Sequence, residues 1–229
     1  MLHFAEFMGI SSGKKSKTYQ IPVSSSISLE GHLSIPEQPH GVVLFVHGSG
    51  SSRFSPRNRY VARVLQEAGF ATLLIDLLTK QEEVQDHYTG HLRFNIDLLS
   101  ERVVEVTNWL TAQPESSGLK IGYFGASTGA AAALVAVTRL PQVVGAVVSR
   151  GGRPDLARSF LPYVKAPTLL IVGSRDTQVI QLNQMALSLL QVEKRLVLVE
   201  GATHLFEEPG TLERVARLAC EWFERYLTA

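Results

Sequence analysis

From about residue 40 onward, short runs that are apolar at nearly every position alternate with longer stretches whose apolar residues recur at three- and four-residue steps. The apolar runs are 42–46, 71–75, 120–124, 143–148, 168–172 and 195–199. A strand covered on both faces has no polar side, so such runs predict central strands of a parallel sheet flanked by helices. Residues 18–23 and 28–35 alternate more, which predicts an antiparallel pair at the sheet's edge. A helix is expected over 56–68, with Pro56 suited to its first turn and Gly69 to its C-terminal cap. A second, over 94–111, carries Ile96, Leu99, Val103, Val106 and Leu110 on one stripe, and a third, over 212–227, buries Leu212, Val215, Ala219, Trp222 and Tyr226. Repeated strand–helix–strand units joined by right-handed crossovers predict a three-layer α/β/α sandwich around a mostly parallel, doubly wound sheet, with no large cap domain. Residues 17–229 read as one domain and residues 1–16 as a flexible N-terminal segment. The stretch 77–93 is too polar for core and receives no element. Its place just past a strand end sets it beside any ligand crevice of an open α/β sheet.

Composition narrows the function classes. The chain has 229 residues, 45% of them apolar and 19% charged, which excludes a disordered chain, a coiled coil and a collagen-like repeat. Its 22 basic and 21 acidic residues leave a formal charge of +1 without a basic stripe, so no nucleic-acid partner is expected. Apolar runs are too short for a spanning helix, and no membrane partner is expected. The single cysteine, Cys220, excludes an internal disulfide and a multi-cysteine zinc site, and it fits a reducing, cytoplasmic setting. On its helix it reads as a packing residue rather than a reactive thiol. His87 and His91 lie four apart with no evident third ligand, so no metal is expected.

The segment Gly125-Ala126-Ser127-Thr128-Gly129 follows a strand and opens a helix of small residues. A serine on a sharp strand-to-helix turn is the grammar of a nucleophile elbow. The alternative is a tight turn whose serine caps the helix. A serine hydroxyl needs a base, and the base needs a group to orient it. His204 stands in the loop after the last expected strand, and Asp176 in the loop after the strand before it. All three residues therefore leave C-terminal strand ends on one edge of the sheet, in the order Ser, Asp, His. Asp76 and Asp155 also follow strands and are rival acids. His47-Gly48-Ser49-Gly50 follows an early strand, where such architectures place one oxyanion donor. The backbone N–H groups of Ser49 and Thr128 are the expected oxyanion hole, with His47 bracing the loop. Arg53 and Arg150 lie close enough to this edge to bind a substrate carboxylate, the alternative being ordinary ion pairs.

Together these motifs resemble the α/β-hydrolase superfamily, in its dienelactone-hydrolase-like branch, over about residues 18–227. The resemblance implies an α/β-hydrolase fold and acyl transfer to water, with no cofactor and a small acyl substrate. Dienelactone hydrolases proper carry cysteine at the elbow, whereas this chain has Ser127, which favours ordinary ester or thioester chemistry. Gly151-Gly152-Arg153-Pro154-Asp155 and Ala202-Thr203-His204-Leu205-Phe206-Glu207-Glu208 resemble a bacterial subgroup of that branch, some members of which carry a fused phosphoribosyltransferase domain. Two rival functions are a non-catalytic binding protein of this fold and a dinucleotide binder. The second rests on Gly48-Ser49-Gly50-Ser51-Ser52-Arg53, where Arg53 stands in place of the third glycine.

Overall fold

The computed structural model describes residues 15–228, so the expectation for the N-terminal segment falls almost wholly outside the described residues. Lys15 and Ser16 already belong to the first strand, β1 (Lys15–Pro22). It pairs antiparallel with β2 (Ser28–Ile35), which pairs antiparallel with β4 (Ala71–Ile75). The remaining strands are β3 (Val42–Val46), β5 (Ile121–Ala126), β6 (Val144–Arg150), β7 (Thr168–Gly173) and β8 (Lys194–Val199). They run parallel in one eight-stranded sheet of order β1-β2-β4-β3-β5-β6-β7-β8.

Strands β3, β4, β5 and β7 are buried at every position, as their unbroken apolar runs require. The run at 195–199 is different. It forms β8, the outer strand, and faces solvent along much of its length, with Leu198 47% exposed. Its apolar composition reflects β propensity at an edge rather than burial on both faces.

Side chains alternate across the sheet and feed two cores. Val42, Leu44 and Val46 join α3 (Ile96–Thr111) and α4 (Thr128–Arg139) on one side. Val43 and Phe45 join α1 (Pro56–Glu67) and α6 (Thr211–Leu227) on the other. Fully burying each such aliphatic side chain stabilises the fold by about 1.5–3 kcal/mol. The alanines Ala130 to Ala133 let α4 lie against the centre of the sheet with almost its whole length buried. Another helix, α5 (Thr177–Leu189), packs between β7 and β8 through Val179, Asn183 and Ala186.

The polar stretch 77–93 is not a loop. It holds α2 (Lys80–Thr89), opened by a capping box between Thr79 and Glu82 and closed by Gly90 in the left-handed conformation. Arg102, buried on α3, fixes this helix by bonding the Glu82 carboxylate and the Leu77 carbonyl. At its far end the buried Asp86 carboxylate accepts bonds from the N–H groups of Leu92 and Arg93 and from the Arg93 guanidinium. The helix stands because its ends and charges are satisfied, not because it is amphipathic.

Candidate active site

Because β3 to β8 are parallel, their C-terminal ends share one rim, and the loops that follow gather there. At its centre Ser127 links β5 to α4 with φ 50° and ψ −124°. A non-glycine residue held there costs on the order of 1–3 kcal/mol and must be enforced by its surroundings. The neighbouring loop does the enforcing: the Ser127 N–H donates to the Arg150 carbonyl at 3.3 Å, and the Arg153 N–H donates to the Ser127 carbonyl at 3.0 Å. The flanking glycines are steric necessities. A Cβ at Gly129 would lie 2.3 Å from the carbonyl oxygens of Val46 and His47, and one at Gly125 would lie 2.5 Å from the Ala130 Cα. Ser127 does not cap α4 with its side chain, so the capping alternative fails.

His204 and Asp176 meet at the same rim, with Nδ1 and Oδ2 2.6 Å apart. Asp176 occupies the N-cap position of α5, yet its carboxylate makes no capping bond and is turned to the imidazole. The rival acids are engaged elsewhere. Asp76 is ion-paired with Arg53, and Asp155 accepts two bonds from Arg153 at 2.8 and 2.7 Å. The β6–β7 connection ties His204 to the elbow. A Cβ at Gly151 would lie 3.5 Å from His204 Cε1, while Arg150 and Arg153 on either side bond the Ser127 backbone. Among the described residues no hydrogen bond joins Ser127 Oγ to His204, whose ring bonds Asp176. Such bonds commonly tighten only when substrate is bound.

The loop after β3 lies against the elbow: a Cβ at Gly48 would sit 2.8 Å from the Ser127 Cβ. Its Ser49 N–H points to α4 but donates to Thr128 Oγ1 at 2.9 Å, so this expected oxyanion donor already has an acceptor. Thr128 is the first residue of α4, where an N–H has no partner within the helix. His47 is buried and spans two loops. Nδ1 donates to the Gly48 carbonyl at 2.8 Å, and Nε2 accepts the Leu77 N–H at 3.0 Å. Burial holds this imidazole below the ordinary histidine pKa, in the neutral form that both bonds require.

A cleft of about 540 Å³ opens beside the loop 47–52, bounded also by Arg57, Leu77, Glu83 and His87. Burial and the nearby Asp76 raise the Glu83 pKa. The two candidate substrate-binding arginines part company here. Arg53 is clamped by the carboxylates of Glu30 and Asp76, which makes it a brace between β2 and the β4 rim rather than a free cation. Among the described residues no carboxylate pairs with the buried Arg150, whose side chain bonds that of Asn58 at 3.2 Å and lies over the Phe206 ring. Burial, aided by the Arg57 charge, lowers its pKa to about 10. Arg57 went unnoticed in the sequence because it sits within an ordinary amphipathic helix. Only the fold reveals it as cleft lining.

Comparison with known proteins supplies the family. A crystal structure of dienelactone hydrolase from Anabaena variabilis superposes with a TM-score of 0.89, at 62% identity, covering 93% of this chain and 99% of that one. Est1E from Butyrivibrio proteoclasticus shares the fold, with a TM-score of 0.76 at 16% identity over 92% of this chain and 98% of its own. Two Mycobacterium tuberculosis proteins, each named putative phosphoribosyl transferase, are 58% identical over 205 residues. That stretch is 90% of this chain but 45% of theirs, so the chain spans about half the length of these relatives. The dienelactone hydrolase family model matches residues 29–228, and with that coverage the chain belongs to the dienelactone hydrolase family.

Proposed function

We propose that the protein is a serine hydrolase that cleaves a carboxylic ester or thioester through an acyl-enzyme. The observation that carries this reading is the 2.6 Å contact between His204 Nδ1 and Asp176 Oδ2, on the rim where Ser127 is held in a strained turn. With Nδ1 committed to Asp176, the imidazole presents Nε2 as the base for the Ser127 hydroxyl. Ser127 Oγ attacks the substrate carbonyl as His204 takes its proton, and Asp176 stabilises the imidazolium that results. The developing oxyanion takes the Thr128 N–H and draws the Ser49 N–H away from Thr128 Oγ1. One such donor is worth about 3–4 kcal/mol of transition-state stabilisation. His204 then protonates the leaving group and activates the water that releases the acid. The neutral His47 keeps the Ser49 loop in register without exchanging protons.

The family matched is one of hydrolases, and the name putative phosphoribosyl transferase belongs to proteins about twice as long. Among the described residues no helix is long and apolar enough to cross a membrane. The lone cysteine favours the cytoplasm as the place of action. A fluorophosphonate probe tests the reading without knowledge of the substrate. It is expected to label Ser127 in the intact protein and to leave the Ser127→Ala variant unlabelled. Absence of labelling, together with no turnover of short activated esters, would leave a binding protein of this fold. A rise in melting temperature with NAD or NADP would favour the dinucleotide reading instead.

A further inference from the structure

We propose that Arg57 and Arg150, with the serine-rich loop 49–55, form a phosphate-binding subsite beside the reacting carbonyl, so that the ester cleaved carries a phosphomonoester group on its alcohol. The ester part of this inference rests on the hydrolase reading; the anion part does not.

The starting point is a cation without an anionic partner among the described residues, its guanidinium carbon 6.0 Å from the centroid of the Phe206 ring. Arg150 is 6% exposed, no carboxylate among the described residues pairs with it, and its Nε is buried without an acceptor. A buried charge without a counter-ion is costly, and the cost persists only if something offsets it. Arg57 lies close enough to add to that cost through like charge. Its own Nε is also buried without an acceptor. The two side chains flank the first turn of α1, where Arg150 bonds Asn58 and Arg57 turns toward the cleft. Among the described residues Arg57 has one ion-pair partner, Glu207, whose carboxylate is largely exposed.

The surrounding groups suit oxygen acceptors. Ser49, Ser51, Ser52 and Ser55 line the same cleft as Arg57, and Arg57 is the second residue of a helix whose N-terminus carries roughly half a positive charge. Around Arg57 and Arg150, two guanidinium groups, the Glu207 carboxylate and that helix end leave a local balance of about 1.5 positive charges, while Glu83, beside Asp76, adds a carboxylate elsewhere along the same cleft. A phosphomonoester carries about 1.5–2 negative charges and three acceptor oxygens, whereas a carboxylate carries one charge and two oxygens. The phosphate therefore brings more counter-charge to the two arginines, and one more acceptor oxygen for the guanidinium and hydroxyl donors around them, than a carboxylate would. Since Gly48 joins this cleft to the elbow, a phosphate held at Arg57 leaves the other end of a short ester free to reach Ser127. Cleavage breaks the acyl C–O bond, adds water across it, and releases the acid and the phosphorylated alcohol with its phosphate intact.

The test has two arms on the full chain. Inorganic phosphate is titrated calorimetrically into the wild type and Arg57→Gln. Turnover of 1-butyrylglycerol 3-phosphate is compared with that of 1-butyrylglycerol. Phosphate is expected to bind the wild type and at least about tenfold more weakly to Arg57→Gln. The ratio of kcat/KM for the phosphorylated over the neutral ester is expected to exceed about tenfold and to fall toward one in Arg57→Gln. Arg150→Met should act in the same direction; should it fail to fold, Arg57→Gln at its partly exposed position decides alone. No phosphate binding, or equal binding by both proteins (an adventitious ion only), would overturn the subsite. So would a neutral ester cleaved as well as the phosphorylated one, or a better rate with a carboxylate in place of the phosphate. Failure of the hydrolase reading looks different: neither ester is cleaved and Ser127 takes no fluorophosphonate label, while the calorimetric arm still reports on the anion.

Discussion

His47 offers a pH test of how the rim is held together. Its ring is buried, donates from Nδ1 to the Gly48 carbonyl and accepts the Leu77 N–H at Nε2. Protonation would turn Nε2 into a second donor facing the Leu77 N–H, in a site that already disfavours charge. The folded pKa is accordingly lowered by burial. In the unfolded chain the same histidine titrates near 6.5. Between that value and the lower folded pKa, the unfolded state binds a proton that the folded state does not. Stability is therefore complete above about pH 6.5 and declines as the pH falls through this window, at up to about 1.4 kcal/mol per pH unit. From pH 6.5 to 5 the ceiling is roughly 2 kcal/mol. The comparison variant is His47→Gln, whose amide can donate to Gly48 and accept from Leu77 but does not titrate. Urea unfolding of both proteins at pH 7 and pH 5 reads the effect, since the other six histidines and the carboxylates contribute equally to each. The variant should lose less stability on acidification than the wild type, by an amount that does not exceed about 2 kcal/mol. Parallel losses in the two proteins would refute the argument.

Asp176→Asn should lower kcat on an activated ester by about 10⁴-fold with little change in KM, because the imidazole loses the partner that fixes its tautomer; steady-state kinetics decides. Glu82→Gln leaves the buried Arg102 without its carboxylate, so a loss of about 3–5 kcal/mol and faster amide exchange confined first to α2 are expected by hydrogen exchange. Gly129→Ala forces a methyl to within 2.3 Å of two carbonyl oxygens, and thermal unfolding should report a destabilisation of about 1–3 kcal/mol or more. Burial and the acidic neighbours Glu224 and Glu221 push the Cys220 thiol up to about 12, so its alkylation at pH 8 should be on the order of a thousandfold slower than that of a free thiol.

The parts of this molecule most legible in the sequence are those governed by burial. Unbroken runs such as 42–46 and 168–172 can only be strands covered on both faces, and once they are parallel, the loops after them must share an edge. That is why Ser127, Asp176 and His204, 77 residues apart at the extremes, could be brought to one rim on paper. Helix α2 was hidden because its stability is electrostatic and local. Its apolar residues Val84 and Tyr88 face solvent, and the Thr79–Glu82 capping box and Gly90 were the available signals. Edge position was equally invisible, since β8 carries the same valines and leucines as its buried neighbours. Arg53 and Arg150 show the limit for charges: one stands in the loop after β3 and the other ends β6, and only the fold reveals that the first meets two carboxylates and the second none among the described residues.

Backbone strain links the core to the chemistry. Among the described residues, two that are not glycine adopt positive φ, Ser127 at 50° and Phe206 at 56°. One is the proposed nucleophile, and the other follows His204 by two positions. Neither turn could persist on a mobile loop, because each would relax into an ordinary conformation and gain 1–3 kcal/mol or thereabouts. Each is held by a buried mass on one side. Ser127 is gripped between the fully packed β5 and α4, and Phe206 sinks its ring into the core beneath α6 with 1% exposure. Burying that ring is worth about as much as the strain it offsets. The His204 loop is thus anchored from below by Phe206 and from the side by Thr203, which bonds Glu208 through both its N–H and its hydroxyl. An imidazole mounted this way keeps its line to Asp176 while its other face stays open to solvent, the condition a base needs if it is to hand protons to substrate and water in turn.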